Sequence, residues 1–210
     1  MSELTIDTPR GLARAYVSHP EHARAQAALV LGHGAGGGVG AADLRTARSA
    51  ALAVRCAVAL VEQPYRVAGR RSAAPAAHLD EAWTAVVAQL REGDLTGLPI
   101  VTGGRSSGAR VACRTVAATG AIGVVCLAFP LEPPRRANAK PTSSRLAELD
   151  VAVPVLVVQG RSDRFGMPPP APSRTVVPVT GDHGLKSDLA AVDDAVSRWL
   201  SDLLPARAVP

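Results

Sequence analysis

Ser106 is the central residue of a Gly-x-Ser-x-Gly pattern, Gly104-Arg-Ser-Ser-Gly108. The segment follows an apolar run at 100–103 and precedes a stretch of small residues at helical spacing. A glycine on each side lets the chain turn tightly from a strand into a helix, because a side chain there would collide with the neighbouring strand or helix. Such a turn pushes the serine hydroxyl out of the sheet edge, so Ser106 is predicted to be a nucleophile.

Strand-like and helical patterns alternate along the chain, which is typical of a mostly parallel sheet covered by helices on both faces. The predicted strands are 11–18, an edge strand, and 27–32, 56–61, 100–103, 122–129, 153–158 and 175–179. The predicted helices are 42–54, 78–91, 107–118 and 187–204. Residues 63–77 and 130–141 are predicted to be loops at the carboxyl ends of strands, where such sheets bind ligands. The pattern predicts one α/β domain over residues 1–210, with six to eight strands and no large lid.

Composition argues against several classes of protein. With 210 residues, 47% of them apolar, the chain can bury a core without disulfides or metals. Aromatic residues make up only 3%, so no large aromatic-lined pocket is expected. The net charge of +5 comes from arginines that are scattered among acidic residues, without an aromatic stacking platform. Nucleic-acid binding is therefore not expected.

The cysteines and the apolar runs indicate the cellular compartment in which the protein is expected. Cys56, Cys113 and Cys126 are widely spaced in apolar runs, which indicates buried hydrophobic residues in a reducing compartment. The first residues lack the apolar segment of a signal peptide. The longest apolar run, near 121–129, is shorter than the roughly 20 residues that span a bilayer. We expect a cytoplasmic protein with no cofactor, metal or membrane partner, while the oligomeric state stays open.

Two further residues complete a candidate catalytic set. His183 lies between the last predicted strand and the final helix, where a base can reach over the serine. Asp163 follows the strand at 153–158, and its carboxylate could orient the imidazole. Asp182, adjacent to the histidine, is an alternative for that role, although neighbouring side chains on an extended loop point apart. His33 is expected to shape its own loop.

An acyl-transfer site also needs donors for a developing oxyanion and walls for the substrate. The residue after the nucleophile, Ser107, supplies one backbone N–H, and the glycine-rich loop at 33–37 supplies another, which we place at Ala35. The predicted pocket walls are Tyr65, Leu131, Phe165 and Met167. A further hypothesis is that Arg105, Arg135 and Arg136 favour acidic acyl groups, the alternative being a solvated basic rim.

The same glycine-rich loop fits a second motif. Gly32-x-Gly34-x-x-Gly37 follows a strand, and Glu62 ends the next strand about where a ribose-binding acid belongs. A dinucleotide-binding protein would leave the serine, aspartate and histidine unexplained. A non-catalytic binding or scaffold domain is another alternative.

Six stretches of the sequence carry a family resemblance: 32–37 (GHGAGG), 62–65 (EQPY), 103–112 (GGRSSGARVA), 129–131 (FPL), 159–166 (QGRSDRFG) and 182–186 (DHGLK). Together they resemble small α/β-hydrolases of the dienelactone-hydrolase-like group, and within it the branch of testis-expressed and chromatin-complex α/β-hydrolase-like proteins. The resemblance implies a Ser106, Asp163, His183 triad with oxyanion donors at Ala35 and Ser107. Ser107 stands where such proteins more often have methionine. Ser106 stands where dienelactone hydrolases carry cysteine, which argues against that substrate.

The order serine, aspartate, histidine along the chain is itself the α/β-hydrolase order. The expected function is a serine hydrolase that cleaves a small carboxylic ester or thioester through an acyl-enzyme. With few aromatic residues and no lid, short acyl chains are expected to be preferred.

Overall fold

The predicted sheet has eight strands in the computed structural model, which describes residues 1–133 and 143–204. The strands are β1 (Ser2–Thr8), β2 (Gly11–Ser18), β3 (Ala27–Gly32), β4 (Cys56–Glu62), β5 (Ile100–Arg105), β6 (Gly123–Leu127), β7 (Val155–Gly160) and β8 (Arg174–Val179). Their spatial order is β1-β2-β4-β3-β5-β6-β7-β8. Strands β3 to β8 pair in parallel, whereas β2 pairs antiparallel with both β1 and β4. The predicted α/β class with a mostly parallel sheet is confirmed.

Helices cover both faces of the sheet. They are α1 (Ala42–Ala53), α2 (Pro64–Val67), α3 (Ala76–Glu92), α4 (Ser107–Arg114), α5 (Val116–Thr119) and α6 (Leu189–Leu203), with a 3₁₀ turn at Leu146–Leu149. Alternate residues of the central strand β3 belong to different cores. Leu29 and Leu31 pack in the cluster with α1 and α6, whereas Ala28 and Val30 pack in the cluster with α3. This period-two alternation explains why the strand reads as a continuous apolar run.

The predicted edge position of the strand at 11–18 is wrong. The edge is β1, which pairs along the whole of β2. Within β1, Leu4 and Ile6 pack against the cluster under α3, while Glu3, Thr5 and Asp7 on the other face are exposed to solvent. Only every second residue of β1 is apolar and packed against the protein, so the segment lacks the continuous apolar run by which the other strands were predicted.

Two other predicted elements have different bounds. The predicted loop at 63–77 contains α2, which Pro64 begins at the first helical position. The predicted helix at 107–118 is two helices, α4 and α5, separated at Thr115, whose hydroxyl donates to the Val111 carbonyl at 2.7 Å. That side-chain bond offers the last turn of α4 an alternative to a continuous backbone ladder.

The carboxyl ends of β3, β5 and β7 meet at one edge of the sheet, together with the loop after β8. This edge is where ligands bind in open parallel sheets. No segment within residues 1–133 or 143–204 forms a lid domain over it. In the same residues, every helix is too short or too polar to cross a membrane.

Candidate active site

Ser106 occupies a tight turn between β5 and α4. Its φ of 52° and ψ of −108° lie in a region that residues with a side chain rarely adopt. The Ser106 N–H donates to the Leu127 carbonyl at 2.9 Å, which holds the turn against β6. A Cβ added at Gly104 or Gly108 would run into the Gly32 carbonyl oxygen of β3. The two glycines therefore allow the close approach that exposes the serine hydroxyl.

The serine, the histidine and the aspartate predicted from the sequence lie in contact. His183 Nε2 is 2.9 Å from Ser106 Oγ, and His183 Nδ1 is 2.8 Å from Asp163 Oδ2. The Asp163 side chain is fully buried, while one fifth of the His183 side chain is exposed. The alternative acid, Asp182, accepts the Gly184 N–H at 2.8 Å instead. The arrangement can pass a proton from the hydroxyl to an imidazole that a carboxylate orients.

Gln159 holds the buried carboxylate in place. Its Nε2 is 2.9 Å from Asp163 Oδ2 and also lies within 3.0 Å of the carbonyls of Phe129 and Gly166. The Phe165 N–H donates to Asp163 Oδ1 at 2.9 Å. Sequence reasoning did not assign Gln159 a role. The available signal was a polar residue at the end of β7, where every other side chain is aliphatic.

Arg105 links the loop that carries the histidine to α1. Its Nε donates to Asp43 Oδ2 at 2.9 Å, and its Nη2 donates to the His183 carbonyl at 2.9 Å. The Asp43 side chain is only 1% exposed, and this burial raises the pKa of its carboxyl although the Arg105 charge opposes the shift. These bonds leave Arg105 little capacity to bind an acidic acyl group. Arg135 and Arg136, named in the same hypothesis, lie outside the described residues.

The glycine-rich loop after β3 is fixed by two side chains. His33 Nδ1 donates to the Gly34 carbonyl at 2.8 Å, and His33 Nε2 accepts the Gln63 N–H at 3.1 Å. The Gly34 carbonyl and the Ala35 N–H belong to one planar peptide group, so holding the first orients the second. Tyr65 donates its hydroxyl to the Ala35 carbonyl at 2.9 Å. These bonds fit the expectation that His33 shapes its own loop.

We expect His33 to make stability depend on pH. Burial lowers the pKa of its imidazole in the folded protein, and Nε2 already accepts a hydrogen bond there. Below about pH 6.5 the unfolded chain binds this proton and the folded chain does not, so stability falls as the pH falls. Between about pH 8 and pH 5, the free energy of unfolding measured in urea should drop by about 1 kcal/mol more in the native protein than in His33→Gln.

The matched control for this prediction is His19→Gln, because His19 is exposed. It should keep the pH dependence of the native protein. Equal pH dependence in the native protein and in His33→Gln would contradict a buried neutral imidazole at this position.

A cavity of about 530 Å³ opens beside the serine and the histidine. Of the six residues predicted to donate to the oxyanion or to form the pocket walls, three line it: Ala35, Ser107 and Phe165. The Phe165 ring meets the His183 ring edge to face, with 4.6 Å between the ring centroids. Phe165 therefore packs against the candidate base as well as lining the cavity.

The other three predicted wall residues lie elsewhere. Tyr65 lines a neighbouring cavity of about 460 Å³ and contacts the glycine-rich loop through its hydroxyl and through the edge of its ring against His33. Leu131 is buried in the cluster between α4 and β7, and Met167 is 39% exposed and outside the cavity lining. These three residues do not line the cavity beside Ser106, and their contact with a substrate stays a prediction.

The glycine pattern of a dinucleotide site is not matched by the structure. Helix α1 begins at Ala42, so a further segment of loop separates it from Gly37. A pyrophosphate site needs the glycine turn to open directly into a helix N-terminus. The loop lacks that geometry.

Comparison with known proteins agrees with this architecture. A sequence profile of the family described as Alpha/beta hydrolase domain matches residues 25–188. A lidless α/β serine hydrolase from Xanthomonas campestris is 19% identical, with a TM-score of 0.76 over 98% of this chain and 96% of that chain. Est1E from Butyrivibrio proteoclasticus is 15% identical, with a TM-score of 0.79 over 98% of this chain and 100% of that chain.

A dienelactone hydrolase from Anabaena variabilis is 16% identical, with a TM-score of 0.73 over 97% of each chain. Identities this low show a common fold and nothing finer. No curated protein sequence matches the chain significantly. The resemblance to the dienelactone-hydrolase-like group is thus confirmed for the fold, while the testis-expressed branch stays a prediction.

Proposed function

Because the chain belongs to the alpha/beta hydrolase domain family, we propose that it is a serine hydrolase that cleaves a small carboxylic ester or thioester through an acyl-enzyme. One observation carries the proposal: a single imidazole lies 2.9 Å from Ser106 Oγ and 2.8 Å from the buried carboxylate of Asp163. A hydroxyl is a weak nucleophile until a base removes its proton, and this geometry supplies the base and its orienting group.

The reaction would begin with attack of Ser106 Oγ on the substrate carbonyl. His183 Nε2 accepts the hydroxyl proton, and its Nδ1–H donates to Asp163 throughout. The N–H of Ser107, the first residue of α4, has no acceptor within its helix and could donate to the oxyanion together with the Ala35 N–H. The imidazolium then gives its proton to the leaving alcohol or thiol, and water hydrolyses the acyl-enzyme by the same route.

The size of the cavity limits the substrate. About 530 Å³ lies in the lower part of the range of about 300–1,000 Å³ that is usual for small-molecule sites. Only one aromatic side chain, Phe165, lies among the described residues that line it. A short acyl chain therefore fits this site better than a long one.

We expect Ser106 to be the residue that a fluorophosphonate probe modifies. The native protein should gain one probe mass, located on the peptide that contains Ser106, and Ser106→Ala should gain none. Ser201→Ala, which removes an exposed hydroxyl on α6, is the matched control and should still be labelled. Labelling that persists in Ser106→Ala would contradict the proposal.

A native protein that is folded but never labelled would favour the alternative of a catalytically silent binding or scaffold domain. The cytoplasmic location and the absence of nucleic-acid partners stay predictions of the sequence.

A further inference from the structure

Arginines dominate the charged residues on the walls of the candidate active-site cavity. Five of them line it: Arg105, Arg110, Arg114, Arg145 and Arg164. No aspartate or glutamate occurs among the described residues that line the same cavity. The walls therefore present positive charge alone to whatever enters.

Three of these arginines form salt bridges with carboxylates that do not line the cavity. The pairs are Arg105 with Asp43, Arg110 with Glu148, and Arg114 with Asp80. Each pair is held by a hydrogen bond of 2.9 Å or less. Five guanidinium groups thus share three carboxylates, which leaves two positive charges over.

The two remaining arginines have no carboxylate partner among residues 1–133 and 143–204. Arg145 donates from Nη1 to the Pro130 carbonyl at 3.0 Å, and the other N–H groups of its guanidinium make no hydrogen bond to the described residues. The Arg164 guanidinium lies over the Phe165 ring, 4.8 Å from its centroid. The residues outside the described ranges include no aspartate or glutamate that could pair with either arginine.

The surroundings of Arg145 make its charge costly. Partial burial lowers the pKa of its guanidinium, and the nearby positive charge of Arg110 lowers it further, although the carboxylates of Glu148 and Glu132 oppose the shift. An anion beside Arg145 would relieve this repulsion. A guanidinium also presents a planar fork of N–H donors that matches a carboxylate.

We propose that Arg145 and Arg164 form a carboxylate-binding site in the cavity that contains Ser106, and that the substrate is an ester or thioester that bears a carboxylate. The statement about the substrate rests on the proposed hydrolase function, whereas the statement that the two arginines bind a carboxylate does not. The carboxylate can belong to the acyl group or to the leaving group, and the two sources call for different probes.

The test compares charged and neutral esters of similar size. For the leaving group, the probes are 4-acetoxybenzoate and 4-acetoxybenzamide; for the acyl group, they are 4-nitrophenyl hydrogen adipate and 4-nitrophenyl methyl adipate. For each enzyme variant, kcat/KM for the charged probe is divided by kcat/KM for its neutral partner. This ratio cancels any overall loss of activity that a substitution causes equally for both probes. In Arg145→Gln/Arg164→Gln this ratio should fall about tenfold to a hundredfold for one pair, which identifies the side of the substrate that carries the anion.

Arg198→Gln is the matched control, because Arg198 is a largely exposed arginine on α6 outside the cavity lining. It removes one positive charge outside the cavity and should keep both ratios at their native values. Ratios that stay unchanged in the double variant for both probe pairs would overturn the inference, even where fluorophosphonate labels Ser106.

A binding measurement separates this inference from the proposed function. By calorimetry, the native protein should bind 4-hydroxybenzoate or adipate at least tenfold more tightly than the double variant does, whether or not any ester is hydrolysed. Native protein that is neither labelled nor active, yet shows this difference, would contradict the hydrolase and retain the anion site. Equal binding of both anions by the two proteins overturns the anion site alone.

Discussion

The Ser106→Ala/His183→Ala double variant is expected to hydrolyse esters no more slowly than either single variant. In the proposed mechanism, His183 acts on the substrate mainly by removing the proton of Ser106, so neither residue should accelerate the reaction without the other. Each single substitution should lower kcat by about 10⁴ to 10⁶-fold, and the double substitution should lower it by the same factor. The remaining rate would come from the backbone donors and from binding of the substrate.

The measurement is kcat for a short-chain ester at saturating substrate, with the native protein, both single variants and the double variant. His19→Ala removes an exposed imidazole and should retain the native rate. If the losses multiply in the double variant, the two side chains act independently. That result would contradict the proposed mechanism, in which the 2.9 Å contact between His183 Nε2 and Ser106 Oγ makes them act as one unit.

A second large effect is expected from one methyl group. In Gly108→Ala, the new Cβ would lie 2.6 Å from the Gly32 carbonyl carbon and 2.9 Å from the His33 carbonyl oxygen. Both atoms are backbone, so no side-chain rotation relieves the clash, and α4 must move away from β3. We expect a loss of about 3–5 kcal/mol in the free energy of unfolding, measured by urea denaturation.

Gly40→Ala is the control for this substitution. A Cβ at Gly40 meets no atom within 4 Å, so the stability should change by less than about 1 kcal/mol. If Gly108→Ala changes the stability as little as Gly40→Ala does, the protein does not have the close packing of α4 on β3 described above. Because α4 also follows Ser106 directly, the proposed hydrolase activity of any folded Gly108→Ala protein should fall as well.

The sequence alone was sufficient to predict contacts that follow from the order of strands in a parallel sheet. Ser106, Asp163 and His183 follow different strands of one parallel sheet, and the carboxyl ends of such strands meet at a single edge. Their order along the chain therefore predicted a cluster of side chains. Their roles in catalysis remain the proposal that the labelling experiment tests.

Pairings between distant side chains could not be predicted in this way. Asp43 looks like an ordinary acidic residue in the first turn of a helix, yet it is buried against Arg105. The sequence likewise shows an excess of arginine but not which guanidinium groups already have carboxylates. The hypothesis about acidic substrates therefore named Arg105, which is paired, and did not include Arg145 and Arg164. Such choices depend on three-dimensional distances that no local pattern encodes.

Consecutive residues at the end of β5 hold both partners of the proposed proton transfer. Ser106 carries the attacking oxygen, and the preceding residue, Arg105, donates to the carbonyl of His183. A bend at this end of the strand would therefore displace the hydroxyl and the imidazole in the same direction. We expect their separation to change less than that of two groups held by unconnected loops, in a site over which the described residues form no lid domain.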